Sequence, residues 1–313
     1  MVTTFDDFNG VVPGDAFGAA TNFEASGLWV LTDVGSPASD LVSINDAAVA
    51  TNPYDSCLRL HCGTANDTGG NMQLDAVNGA IATAGGETFP HMWVPESAAG
   101  AAILDNTVLT FACRIGLLTS DAAGTWDAKA FIGLAEAGDT SIMTVATGAL
   151  TTTNPQYGFH IAEDGSLDGI SQRTAAAAYA DGTNFTELVA ANAFDSTIAN
   201  GVATIGDAVW YDLAIRHVIT DMSDDNANGY TEFFYGRVNP HSTGVLGESG
   251  APALSRHMKK HPTTLLNVTP NNDVALVPTI EVINGAAETE DCTFLIDWWS
   301  FGCSRYSRTS KAT

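Results

Sequence analysis

The amino-acid sequence predicts an all-β protein, a jelly-roll β-sandwich of two antiparallel sheets with long loops. Three observations carry that reading. Many short runs alternate apolar and polar residues with period two, the mark of strands with one face on a core. Helical periodicity is nearly absent. The chain also lacks the 20–50-residue self-similarity of a propeller or solenoid, and no Pro/Ser/Gly linker divides it. Ten or more short strands with loops between them then favour a sandwich, expected as one domain over residues 1–313 with N- and C-terminal arms.

The elements follow in order. "CLRLHC" (57–62) and "NMQLDAV" (71–77) are strand-like. In "LTFACRIGLL", Leu109, Phe111, Cys113, Ile115 and Leu117 share one face, and Thr110 and Arg114 the other. "AKAFIGLAE" (128–136) and "YGFHIA" (157–162) come next, and Asp164-Gly165 is a turn dipeptide beside the latter. "TAAAAYA" (174–180) and "FTELVAANAF" (185–194) read as short helices or irregular excursions. In "VWYDLAIRHVI", Val209, Tyr211, Leu213 and Ile215 alternate with Asp212, Ala214 and Arg216. "GYTEFFYGRV" (229–238), preceded by the turn signal Asn228-Gly229, "TLLNV" (264–268) and "PTIEVIN" (278–284) complete the set before the last strand. That strand, "TFLIDWWSFGC" (293–303), is about half the ~20 apolar residues a membrane span needs. Period two sends Phe294, Ile296 and Trp298 one way, and Leu295, Asp297, Trp299 and Phe301 the other. The segments 78–105, 138–156, 174–205 and 239–262 are expected to be surface loops, where contacts concentrate.

Composition narrows the partners. The chain has 313 residues, 45% hydrophobic, with 12 Lys or Arg against 36 Asp or Glu and a formal net charge of -24. Nucleic acid and anionic membranes would repel it. Five cysteines without a CxxC pair argue against zinc, and Cys113 reads as a small core residue. The opening "MVTTFDDFNG" has neither a charged n-region nor an apolar h-region, so synthesis in a reducing cytoplasm is expected.

Several of these segments together resemble a known architecture. "DDFNG" (6–10) and "GLWVLTDVGS" (27–36) are similar to the opening strands of concanavalin A-like sandwiches, the laminarinase and laminin-G-like group. "LTFACRIGLL" and "AKAFIGLAE" look like its central strands, "WYDLAIRHV" with "TEFFYGRVN" like its folded-back hairpin, and "CTFLIDWWSFG" like its closing strand. The resemblance implies that Asp297 fixes backbone or a neighbouring cation. With the acidity, the scarcity of Lys and the missing leader, the chain also resembles structural proteins of tailed marine bacteriophages, of decoration or fibre type.

Catalytic patterns are missing. The E-x-D-x-x-E strand of laminarinase-type enzymes does not occur, and "ETED" (288–291) has the wrong spacing. G-x-S-x-G, H-E-x-x-H and Walker loops are absent, so no enzyme and no cofactor is expected. Calcium is the exception left open. "DDNANG" offers Asp224, Asn226 and Asn228, with Glu232 at the ninth position, but Tyr235 stands where the closing bidentate Glu belongs. A plain hairpin turn is the alternative. Half of the cations cluster as Arg256, Lys259 and Lys260 and as Arg305, Arg308 and Lys311, with Tyr306 between. They read as docking segments for an acidic partner or as a solvated loop and tail. His257 and His261 lie in "SRHMKKHPTT", which reads as loop. Trp93 and Trp126 stand in loop contexts as interface anchors or glycan contacts.

The function expected from all this is a virion structural protein, a capsid decoration protein. It would be made in the host cytoplasm, bind the major capsid protein or another virion protein, and assemble as a homo-oligomer such as a trimer. The alternative is a lectin-like glycan-binding module of a phage fibre or adhesin. A degenerate polysaccharide-active enzyme ranks third.

Overall fold

The computed structural model describes residues 2–6, 29–34, 42–44, 58–61, 68–74, 107–118, 128–136, 138–139, 142–144, 150, 156–172, 184–191, 208–221, 228–238, 258–265, 276–284 and 293–305. These residues form β-strands and no helix. The strands are β1 (Val2–Asp6), β2 (Trp29–Val34), β3 (Val42–Ile44), β4 (Leu58–His61), β5 (Gly69–Leu74), β6 (Thr107–Leu118), β7 (Lys129–Glu136) and β8 (Gln156–Ile161). They continue with β9 (Leu167–Gln172), β10 (Phe185–Val189), β11 (Val209–Asp221), β12 (Asn228–Val238), β13 (Lys259–Leu265), β14 (Leu276–Ile283) and β15 (Thr293–Arg305).

Two antiparallel sheets result. The first runs β13-β12-β11-β6-β15-β4-β3, with β1 also paired to β15; the second runs β10-β9-β8-β7-β14-β5-β2. They pack face to face, as the expected sandwich requires. From the first sheet, Leu109, Phe111, Cys113, Ile115, Leu213, Ile215, Phe233 and Phe294 point inward and are buried. Ile132, Leu134, Tyr157, Phe159, Ile161, Ile280 and Val282 answer from the second. The rings of Phe159 and Phe233 meet edge to face, 5.9 Å apart, across the interior. Gly169 makes room for that approach, because a Cβ there would come within 2.9 Å of the Phe233 ring. A polar thread also crosses the core: Ser171 and Thr231 are 2.8 Å apart through their hydroxyls, and Thr231 lies 2.8 Å from His217 Nδ1. Burial lowers the His217 pKa to about 3, so the ring is neutral at ordinary pH.

The Asp164-Gly165 turn joins β8 to β9 as expected. Gly165 has φ 72°, a left-handed conformation that suits glycine. Asp164 Oδ1 accepts from the Ser166 amide, and the Gly165 amide donates to the Ala162 carbonyl.

Four local expectations need correction. "FTELV" is strand β10, not helix: it pairs with β9 and buries Thr186 and Leu188 between exposed or half-buried neighbours. "KKHPTT" is strand β13, not loop; it is the outer strand of its sheet, where Pro262 costs least. Asn228-Gly229 opens β12 opposite Asp221 and Ile219 instead of forming the turn. Finally, β15 does not keep period two. Its register against β6 shifts between Ile296 and Trp298, so Asp297 is the extra residue of a β-bulge. The bulge puts Phe294, Ile296, Trp299 and Phe301 together on the core face, and Trp298 on the other.

Candidate functional site

The outward face of the seven-stranded sheet departs most from what a simple sandwich needs. Period two places Asn71 and Gln73 of β5, Thr279 and Glu281 of β14, Lys129 of β7, Gln156 and His160 of β8, and Asp168 and Gln172 of β9 on this face. On a half-solvated sheet such residues would meet water. Here all but His160 are buried.

The described part of their cover comes from the segment after β7. Ile142, Met143 and Leu150 pack on Phe131, Ala135, Ile170, Ile283 and Val34, with Phe185 at the margin. Polar side chains of the sheet pin this segment. The Glu281 carboxylate accepts from the backbone amides of Ile142 at 3.1 Å and Met143 at 2.8 Å, and from the Asn71 amide at 2.7 Å. Gln156 donates to the Ile142 carbonyl, and Gln73 donates to the Glu136 carbonyl while accepting from the Gly138 amide. Burial drives the Glu281 pKa up to about 7, against three hydrogen bonds that favour the anion; the Asp139 charge adds to the rise.

Beyond the pinned segment the face continues over β8, β9 and β10. His160 Nδ1 lies 3.5 Å from the Asp168 carboxylate, and Lys129 Nζ lies 3.8 Å from Glu163. Glu187 of β10 is exposed and stands opposite Asp168. Gln172 is directly opposite Gln156 and is 1% exposed, yet neither atom of its side-chain amide has a hydrogen-bond partner. Hydrogen-bonding groups at regular positions over an apolar floor can bind a ligand rich in hydroxyls.

The outward face of the other sheet holds a different centre. Arg114 of β6 donates to both oxygens of the buried Asp212, from Nε at 2.7 Å and from an Nη at 3.3 Å, and donates to Asp297 at 3.3 Å. Its guanidinium sits 6.0 Å from the centre of the Trp298 ring. Burial opposes the Arg114 charge, but Asp212 and then Asp297 outweigh it and raise its pKa. The bulge therefore turns Asp297 toward a cation, the role that the resemblance implied for it.

Only some of the residues singled out from sequence fall among the described ones. Asp224, Asn226, Trp93, Trp126, Arg256, Tyr306, Arg308 and Lys311 lie outside the described residues. Asn228 pairs with Asp221, and Arg305 with Thr107, by backbone register. Glu232 accepts from Arg216 at 2.8 Å and from Lys260. Burial would raise its pKa, but these two cations hold it below the ordinary range. Lys260 is thus matched inside the fold, while Lys259 is exposed on the edge strand. Among the described residues no group of His, Cys, Asp and Glu is arranged to hold a metal.

Sequence reasoning missed the polar face. Its one signal was chemical: outward positions of β5, β8 and β9 carry Asn and Gln where a wet face more often carries charge.

No protein-family model matches the sequence, and no curated protein matches it significantly. Among solved structures, it is similar to arcelin-5, a lectin-like defence protein from Phaseolus vulgaris, at 9% identity and a TM-score of 0.48, covering 98% of this chain and 100% of that one. The winged bean acidic lectin complexed with methyl-alpha-D-galactose is similar at 9% identity and 0.46, covering 96% and 98%. The marine PL-14 alginate lyase from Aplysia kurodai is similar at 11% identity and 0.41, covering 85% and 88%. At these scores the likenesses decide neither ligand nor activity.

Proposed function

We propose that the chain is a non-enzymatic carbohydrate-binding protein, its ligand lying on the outward face of the seven-stranded sheet. The observation that carries this is the buried, amide-rich polar face itself. Burying a polar group costs free energy unless it is hydrogen-bonded, and a plain structural cover would have been served by apolar residues. Sugar hydroxyls donate and accept together, and so does the side-chain amide of Gln172, which the fold leaves without a partner.

The absence of hydrolytic activity is part of the proposal. Asp168 and Glu281 share a row but are separated by β8 and β7. Three strand spacings of ~4.8 Å separate them by about 14 Å, beyond the ~5–9.5 Å that glycoside hydrolysis uses. Glu187 is closer to Asp168 but is solvent-exposed on an edge strand. A glycan array with the pure protein, followed by calorimetry with the best hit, tests the binding. Binding that Asp168→Asn and His160→Ala weaken supports the reading; its absence across the array refutes it. Reducing-sugar release that Glu187→Gln abolishes would refute the non-enzymatic half.

A second reading, docking on an acidic protein surface such as a capsid lattice, is favoured by one observation: Lys259 is exposed on the edge strand of a strongly acidic chain. Salt-sensitive attachment to purified particles, lost in Lys259→Ser, supports it; unchanged attachment of that variant removes it.

A further inference from the structure

We propose that Gln172 is the specificity-determining contact of this face, and that the face takes neutral sugars instead of uronates or sulfated glycans. The inference rests on the carbohydrate-binding reading and narrows it. The first support is the state of the Gln172 side chain. It is buried at the end of β9, next to Gln156 on the same face, with neither its carbonyl nor its amino group hydrogen-bonded. Gln156, its opposite neighbour, donates to the Ile142 carbonyl in the segment laid over the sheet. Gln172 therefore offers one acceptor and one donor, side by side, unused by the fold. Vicinal hydroxyls match that pair, since each can donate to one group and accept from another. A carboxylate or sulfate group placed at this position only accepts, so it would leave the Gln172 carbonyl unpaired.

The second support is charge. Asp168, Glu187 and Glu281 are on this face and Glu163 lies in the turn at its end, against Lys129 and His160. Lys129 is already within 3.8 Å of Glu163, and His160 within 3.5 Å of Asp168. The chain around them carries a net charge of -24. An anionic glycan approaching this face meets repulsion that a neutral one does not.

The test compares the wild type with Gln172→Leu, against soluble neutral glucans and galactans, and against alginate and a sulfated galactan. Leucine keeps much of the volume and removes the unpaired amide. The expected result is a melting temperature raised by a few degrees together with a tenfold or greater loss of affinity for the neutral glycan, and no wild-type binding to the anionic ones. Higher stability with lower affinity is a pair of changes that a purely structural glutamine does not produce. A lower melting temperature in Gln172→Leu would show that the fold uses the amide, and overturns the assignment. A raised melting temperature with unchanged affinity also overturns it. Binding to alginate or sulfated galactan but not to neutral glycans overturns the inference while the carbohydrate-binding reading stands. Binding to neither class refutes both.

Discussion

The two outward faces of this sandwich solve the same problem in different ways. On the eight-stranded sheet, buried polarity is ionic: Arg114 is held by Asp212 and Asp297, and Glu232 by Arg216 and Lys260. On the seven-stranded sheet amides stand among the charges and the polarity reaches into backbone: Asn71, Gln73, Gln156 and Glu281 bind one another or the segment covering them. The ionic face closes on itself, each of these charges ending on a partner in the same sheet. The amide-rich face ends on a separate segment and, among the described residues, leaves the Gln172 amide over. A face that satisfies itself is built for the fold, whereas one that ends on a cover and an unused amide is the better place for a ligand.

The largest way to break this contrast is to remove one charge from the ionic face. Asp212 is fully buried and takes two hydrogen bonds from Arg114, itself mostly buried. Asp212→Ala leaves the guanidinium with the more exposed Asp297 alone. Removing one partner of a buried ion pair typically costs ~3–5 kcal/mol, and that loss is expected in urea unfolding. A loss below ~1 kcal/mol would mean that water already serves Arg114 and that the face does not close on itself.

Next in size is the pH response of the amide-rich face. Glu281 titrates near 7 in the folded state, mainly through burial, against 4.5 for an ordinary glutamate. Below about pH 4.5 it is protonated in both states, and its contribution to stability is fully present. As pH rises toward 7, the unfolded chain has released the proton and the folded protein still holds it. Stability therefore falls across that window, by at most ~3.5 kcal/mol at ~1.4 kcal/mol per unit. The Asp139 charge contributes to that rise, and Glu136, also raised by burial and then by Asp139, adds in the same direction. Unfolding free energies from pH 4 to 8 for wild type and Glu281→Gln isolate the effect: the difference between the two curves should change across pH 4.5–7 and stay level above it. Curves that run parallel throughout would show that the three hydrogen bonds to the carboxylate cancel its burial.

The sandwich was legible from alternation because its inner faces obey it. Leu109 to Leu117 on β6 and Leu213 to Ile215 on β11 point inward as their spacing predicts. The exceptions each have a physical cause. Asp297 is an inserted residue, and an insertion inverts every parity count beyond it. Strand β13 was hidden by Pro262, which an edge strand tolerates, and β10 by the helix-like run that follows it in sequence. The candidate face was illegible for another reason. Asn71, Gln73, Gln156 and Glu281 occupy positions that alternation assigns to solvent, and their burial depends on distant parts of the chain. Glu281 meets Met143 across 138 residues, a pairing that no local pattern encodes.

The smallest expected effect sharpens the contrast at the edge of the ionic face. Lys259 and Lys260 are neighbours on β13 and look alike in sequence, but only Lys260 reaches Glu232. The Lys260 side chain is 45% exposed, so solvent screens this ion pair. Arg216 also remains on the other Glu232 oxygen if Lys260 is removed. Lys260→Ser is therefore expected to cost less than ~1 kcal/mol, a loss that shrinks in high salt, and Lys259→Ser to cost nothing measurable. Denaturant midpoints at low and high salt check both. If Lys260→Ser proves salt-insensitive, the contact acts through its aliphatic stem packing on the sheet, and Glu232 is held by Arg216 alone. If Lys259→Ser destabilises as much as its neighbour, then Lys259 has a structural partner, and the docking role that its exposure suggests loses its support.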